Sequence, residues 1–415
     1  MGRYTGNALN TAADSIDQID RCSRETMNGY LSLVQTVSAT GNNIYSRKIA
    51  GLLGLLIGDS LGVPFEFKRV EQIPARELID ICLPTGYNST YPDIPYGTWS
   101  DDGSQALCLL ASLLDCGQLS LNDFSDRLLR WIDDGYMAID GHVFDIGIQT
   151  AEALNRLRDG VSPLKSGGSD ERSNGNGSLM RLLPLALLHT GSDDVLVQSA
   201  HRQSLPTHSH PRSLVACGYY ALVARGYLNQ VTTPWEWADE QLEAVYRDWR
   251  KESERSVLLV ELEGLRQCLK INQPCGTGYV LDTLVTARRA MEEGSFDDVV
   301  KTAISFGNDT DTTSAVAGGL AGIKFGVEGL PATWLQGLRG FEIVEPVVAK
   351  WLALSTDSDD DQGEQADMCG IGPDGVPIAL VNWDRRGIRR RATYRFDKNG
   401  VPVIVDDLDG DGDQA

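Results

Sequence analysis

Gly51-Leu-Leu-Gly-Leu-Leu-Ile-Gly-Asp-Ser-Leu-Gly62 spaces its glycines at three and four residues through an apolar run, so Gly51, Gly54, Gly58 and Gly62 share one side of a helix. A glycine inside a helix costs about 1 kcal/mol relative to alanine, and a row of them points to close approach of another backbone. Ala315, Gly318, Gly319, Gly322 and Gly326 repeat the device. These two helices are therefore expected to pack near the centre of the molecule. Working outward, helical patterns with short Gly- or Pro-marked breaks recur at 47–62, 104–116, 121–134, 145–158, 179–189, 193–201, 210–227, 235–250, 257–270, 278–293, 296–304, 312–326 and 331–351. Alternating apolar–polar runs are scarce there, and the region 47–354 reads as one all-α domain. Residues 1–46 read as a polar extension or arm, and 355–370 as an acidic linker. Residues 371–415 read as a small antiparallel β meander with an acidic tail, its runs being Val376–Val381, Arg391–Phe396 and Val401–Val405.

The chain has 415 residues, 42% of them hydrophobic, which is enough apolar material for a large core. A net charge of −21 argues against nucleic acid or an anionic membrane surface as the main partner. The 8 cysteines show no Cys-x-x-Cys spacing, and Cys108 and Cys217 lie in apolar runs, as small buried hydrophobes of a reducing compartment do. Residues 1–30 hold no apolar core of signal-peptide length, and the run Ile49–Ile57 is short for a bilayer span and is followed by Asp59. The expectation is a soluble, cytoplasmic protein. Asp407-x-Asp409-x-Asp411-Gly412 resembles the start of an EF-hand loop but lacks the twelfth-position glutamate that calcium binding needs.

Chemistry enters with two acidic motifs, Trp99-Ser100-Asp101-Asp102-Gly103 and Gly307-Asn308-Asp309-Thr310-Asp311-Thr312-Thr313, each placed before an apolar helical stretch. Asp, Ser and Thr are preferred helix N-caps, and acids in a first turn complement the helix dipole. Capping uses one or two such residues, whereas these motifs supply three and four. Four aspartates brought together cannot all stay ionised without a counter-charge, and a divalent ion is the usual one. A donor set of hard oxygens alone selects Mg²⁺ or Mn²⁺ over zinc or copper.

Further motifs follow in order: Val63-Pro-Phe-Glu66-Phe67, Phe144-Asp145-Ile-Gly147, Gly175-Asn176-Gly177-Ser178-Leu-Met180-Arg181, Thr207-His208 and Gly276-Thr-Gly278-Tyr279-Val280. With the glycine-rich helix and the two acidic motifs, this series resembles the ADP-ribosylglycohydrolases across about residues 48–350. The resemblance implies a compact, orthogonal multi-helix fold around two Mg²⁺ or Mn²⁺ ions. It also implies cleavage of the bond between C1″ of ADP-ribose and a modified side chain. Carried over by position, the metal ligands would be Ser100, Asp101, Asp102, Asp309, Asp311 and Thr312. Asp102, Asp145 and Glu66 would be the candidate catalytic carboxylates, left unranked. Asn176, Gly177, Ser178, His208, Tyr279 and Gly147 would meet the substrate, with the pyrophosphate expected on the loop Asn174–Ser178 before a helix starting at 179. The family often has Asn where Ile148 stands, which removes a polar contact from that side.

Three functional readings follow. The leading one is a metal-dependent hydrolase removing ADP-ribose from a modified protein, with arginine preferred because the sequence looks nearest the nitrogenase-regulating branch. The second is an immunity or binding protein that neutralises an ADP-ribosylating toxin, by hydrolysis or by occlusion of the toxin's cleft with residues 1–46. The third is a metal-dependent phosphohydrolase acting on free nucleotides.

Overall fold

A computed structural model describes residues 29–81, 83, 87–249 and 252–359, together with the strand residues 370–371, 377–383, 390–396 and 402–407. The helices are α1 (29–39), α2 (Asn43–Gly62), α3 (Asp101–Cys116), α4 (Leu121–Asp134), α5 (Ile148–Arg158), α6 (Leu183–Leu188), α7 (Asp193–Ser204) and α8 (Pro211–Leu228). They continue as α9 (Pro234–Asp248), α10 (Glu252–Ile271), α11 (Val280–Ala290), α12 (Phe296–Ile304), α13 (Thr310–Phe325), α14 (Ala332–Gly337) and α15 (Phe341–Asp359). The chain separates into a large unit, Met1–His189 with Leu196–Leu352, and a small one, Thr190–Val195 with Ala353–Ala415. Within the large unit the described residues form an all-α fold.

Its axis is the antiparallel pair α2 and α13, buried from Ile49 to Gly62 and from Thr310 to Ile323. The expected glycine contact is explicit. A Cβ on Gly54 would overlap the Gly318 carbonyl, one on Gly58 the Ser314 carbonyl, one on Gly62 the Asp311 backbone, and one on Gly322 the Ala50 carbonyl. Hydroxyls of α13 fill the narrow seam: Ser314 Oγ donates to Gly58 O at 2.6 Å and Thr310 Oγ1 to Gly62 O at 2.8 Å. The pairing therefore holds the start of α13 against the end of α2, where the second acidic motif begins. With the turn Val63–Phe65, the apolar stretch reaches 23 residues (Asn43–Phe65), long enough by length to cross a bilayer, but 94% of its most apolar window is buried in the core.

Several sequence expectations are corrected. The helix expected over 331–351 is two helices, because Gly340 adopts φ +74° and sits where any side chain would strike the Trp99 ring. The helix expected from 145 begins at Ile148, and the one expected over 179–189 shrinks to Leu183–Leu188. Residues 29–46, read as part of a polar extension, pack into the helical unit. Tyr30 is fully buried, edge-on to Phe341, and its hydroxyl donates to Arg339 O at 2.8 Å. Asn42 caps α2 by accepting from Ile44 N and Tyr45 N. The remainder of the proposed arm, residues 1–28, lies outside the described residues, as do most of the acidic linker and tail.

The small unit carries strands β1 (Gly370–Ile371), β2 (Pro377–Trp383), β3 (Arg390–Phe396) and β4 (Pro402–Asp407), antiparallel in the order β1-β2-β3-β4. The β3–β4 register shifts between Thr393 and Tyr394.

Candidate active site

Ser100 is the N-cap of α3, its hydroxyl accepting from Asp102 N at 3.3 Å, so one part of the first motif does perform the capping role. The cap is reinforced from α2. Asp59, fully buried, accepts from Ser100 N at 2.9 Å and from Gly103 N at 2.8 Å. That frees the carboxylates of Asp101 and Asp102 from capping. Asp101 Oδ2 accepts from Gln105 Nε2 at 2.9 Å, and Asp102 Oδ2 accepts from Ser100 Oγ at 3.3 Å.

The second motif opens α13. Asp309 occupies its N-cap position but makes no side-chain capping bond; its Oδ2 instead accepts from Asn176 Nδ2 at 2.7 Å. The motifs meet where Thr312 Oγ1 donates to Asp102 Oδ2 at 3.2 Å. Glu66, Asp309 and Asp311 each bring a carboxylate oxygen within 4.8 Å of the other two, an arrangement suited to a cation. Asp102 Oδ1 and both oxygens of Asp311 are buried with no hydrogen-bond partner. Such orphaned oxygens are costly unless something positive meets them. All the donors are hard oxygens, so the set fits Mg²⁺ or Mn²⁺.

Electrostatics state the same cost in protons. Burial, then the neighbouring Asp145 charge, pushes Glu66 up to about 9. Burial, then Asp309, raises Asp145 to about 6. Asp59 rises to about 7, through burial opposed by its backbone donors. Asp101, Asp102 and Asp311 are held well above the usual carboxylate range, burial leading and the neighbouring acids adding to it. Glu66 is oriented by Tyr91, whose hydroxyl donates to Oε2 at 2.7 Å, and Tyr91 stacks edge-on against Phe144 beside Asp145. Asp145 itself holds a left-handed backbone, φ +49°, costly for a non-glycine residue and here adjacent to the acids.

The glycine loop forms the opposite wall. Asn174 O and Asn176 N bond to Val280 N and Gly278 O at 3.0 Å each, pairing the loop with the segment before α11. Asn176 thereby reaches both Asp309 and Thr283. Gly177 packs on the His208 ring, where a Cβ would come within 2.9 Å of Cε1. His208 is buried and its pKa falls to about 3, chiefly by desolvation and then by the Arg181 charge, so the ring is neutral. Tyr279 is partly exposed at the N-cap position of α11, and Gly147 is exposed at that of α5.

Family and relatives follow from comparison with known proteins. The ADP-ribosylglycohydrolase family model matches residues 40–362. The chain belongs to the ADP-ribosylglycohydrolase family. Within it, the chain is 30% identical over 299 residues to the ADP-ribosylarginine hydrolase Tri1 of Pseudomonas putida (strain GB-1), covering 72% of this chain and 75% of the relative. It is 27% identical over 310 residues to the protein of the same name from Serratia proteamaculans (strain 568), covering 74% and 79%. The ADP-ribosyl-[dinitrogen reductase] glycohydrolase of Rhodospirillum rubrum is 26% identical, covering 72% and 92%. A solved structure described as an ADP-ribosylglycohydrolase-related protein complex aligns with a TM-score of 0.56 and 30% identity, over 75% of this chain and 98% of that one.

Against the family expectation two points change. Ser178 is fully buried, its hydroxyl bonded to Ser204 Oγ at 2.7 Å and set against Cys217 Sγ, so that hydroxyl braces the loop from beneath. The loop also does not run into a helix N-terminus, because α6 starts only at Leu183. Sequence reasoning missed Asp59, Gln105 and Tyr91. A lone acid inside an apolar, glycine-striped helix was a usable signal for Asp59. Gln105 and Tyr91 carry no sequence signal, since their roles come from partners distant along the chain.

Proposed function

We propose that this family member is a metal-dependent hydrolase that removes ADP-ribose from a modified protein side chain, with arginine as the acceptor and two divalent ions at the acidic site. The observation that carries the reading is the set of orphaned carboxylate oxygens of Asp102 and Asp311 facing a buried acid cluster. In this reading Ser100, Asp101, Asp102, Asp309, Asp311 and Thr312 hold the ions, with Glu66 beside them. Bound there, Mg²⁺ or Mn²⁺ supplies charge to the ribose hydroxyls and lowers the pKa of a bound water. The rest falls to the chain's own groups. Glu66, oriented by Tyr91, and Asp145 beside it form the carboxyl pair that would carry acid–base work on the glycosidic bond. Asn176 steadies Asp309, and neutral His208 lies under the glycine loop that would receive the pyrophosphate. Arginine as the acceptor is supported by the similarity to the two Tri1 relatives, which are named as ADP-ribosylarginine hydrolases.

The test is Mg²⁺- or Mn²⁺-dependent release of ADP-ribose from an arginine-ADP-ribosylated protein, with Asp309→Ala/Asp311→Ala as control. Release by the wild type and none by the double variant is expected. Release of inorganic phosphate without ADP-ribose would instead favour the phosphohydrolase reading.

A further inference from the structure

Arg181 is a guanidinium with no exposure to solvent, and among the described residues none of its hydrogen bonds goes to a carboxylate. Its donors go elsewhere. Nη1 donates to Gln105 Oε1 at 2.8 Å, and Nη2 to Thr207 Oγ1 at 2.8 Å and Gln203 O at 3.1 Å. Nε donates to Gln203 Oε1 at 3.3 Å, and the guanidinium lies over the Phe124 ring. An unpaired buried cation is expensive, and an apolar residue of similar volume is often the more stable choice. A purely packing role therefore does not account for it.

The acceptors themselves share a pattern, because each leads one step further to the site. Gln105 turns its amide on Asp101 Oδ2 at 2.9 Å. Thr207 Oγ1 pairs with His208 Nδ1 at 2.9 Å. Gln203 Nε2 donates to Ser178 O at 3.0 Å, beneath the glycine loop. One arm ends on a carboxylate of the acid cluster; the other two end on the opposite wall.

We infer that Arg181 is a positioning residue that orients Asp101 through Gln105 and His208 through Thr207, setting the metal side and the ADP-ribose side from one buried cation. The inference rests on the functional reading above and adds the group that couples its two halves. Outer partners of metal ligands commonly control affinity in this way.

The experiment measures two affinities on the full chain: Mn²⁺ binding by electron paramagnetic resonance without substrate, and ADP-ribose binding by calorimetry at saturating Mn²⁺. Gln105→Leu should weaken Mn²⁺ binding by about tenfold, whereas Thr207→Val should leave Mn²⁺ binding intact and weaken ADP-ribose. Arg181→Lys keeps the charge, loses the planar fork and should weaken both. Combining it with Gln105→Leu should add little further loss for Mn²⁺. A folded Arg181→Lys protein with a lowered melting temperature and both affinities intact would reduce Arg181 to a core buttress and overturn the inference. Should Arg181→Lys not fold, the other two variants decide: if both affinities move together in each, or neither moves, the coupling is refuted. A wild type that binds neither probe overturns the functional reading as well; one that binds both while the variants match it overturns only this inference.

Discussion

Asp311 carries the cost of the site in a single side chain: a fully buried carboxyl with neither oxygen bonded, raised well above the usual carboxylate range by burial, Glu66 and Asp309. Removing its charge should relieve the protein when no cation is present. Asp311→Asn is predicted to stabilise the chelated protein by roughly 1–3 kcal/mol while abolishing stabilisation by Mn²⁺, both read from chemical denaturation with and without EDTA. A less stable chelated variant would show that Asp311 is satisfied without a cation. Neighbouring Asp309 behaves differently, because Asn176 already meets one of its oxygens. Residue identity alone did not distinguish these two aspartates. Both stand in one motif, and only the partner donated by the loop near residue 176 separates them.

At the scale of elements, the seam between α2 and α13 determines whether the two acidic motifs meet. A Cβ on Gly58 would overlap Ser314 backbone atoms that cannot rotate away, so Gly58→Ala must push the helices apart. The expected cost is about 1–3 kcal/mol of stability, with weaker Mn²⁺ binding because the α13 carboxylates move away from Asp102. Gly264, on α10 with open space where its Cβ would sit, is the control. There alanine should stabilise by about 0.5–1 kcal/mol through helix propensity alone. Equal effects at the two positions in thermal melts would refute the close-packing argument. The glycine spacing made this seam legible from sequence, since a period near 3.6 reports a helix face directly. The break at Gly340 was not legible, because it depends on the Trp99 ring, far away along the chain.

For the whole molecule, the acid cluster links stability to both pH and metal. Asp59 near 7, Asp145 near 6 and Glu66 near 9 all lie above the ordinary carboxyl values, so without metal the folded protein holds more protons than the unfolded chain. Their contribution is fully present below about pH 4 and is lost as pH rises through the folded values. The melting temperature of chelated protein, as far as these groups set it, should therefore fall between about pH 5 and 9. Saturating Mg²⁺ or Mn²⁺ should reverse the trend, because the ions displace those protons, and at 100 times the dissociation constant should add about 2.7 kcal/mol. A melting temperature indifferent to metal across that range would count against the cation site. By itself, the sequence determined the all-α class, the central glycine-faced helix pair and the acid–hydroxyl composition of the two motifs. These are properties of period and residue type, written locally along the chain. Only the tertiary structure decided that Asp59 braces the first motif, that Ser178 turns inward, that Asp102 and Asp311 keep orphaned oxygens, and that Arg181 spans both walls. Each of those depends on atoms brought together from distant segments, and hydrogen-bond partnership is a property of that packing, not of any segment alone.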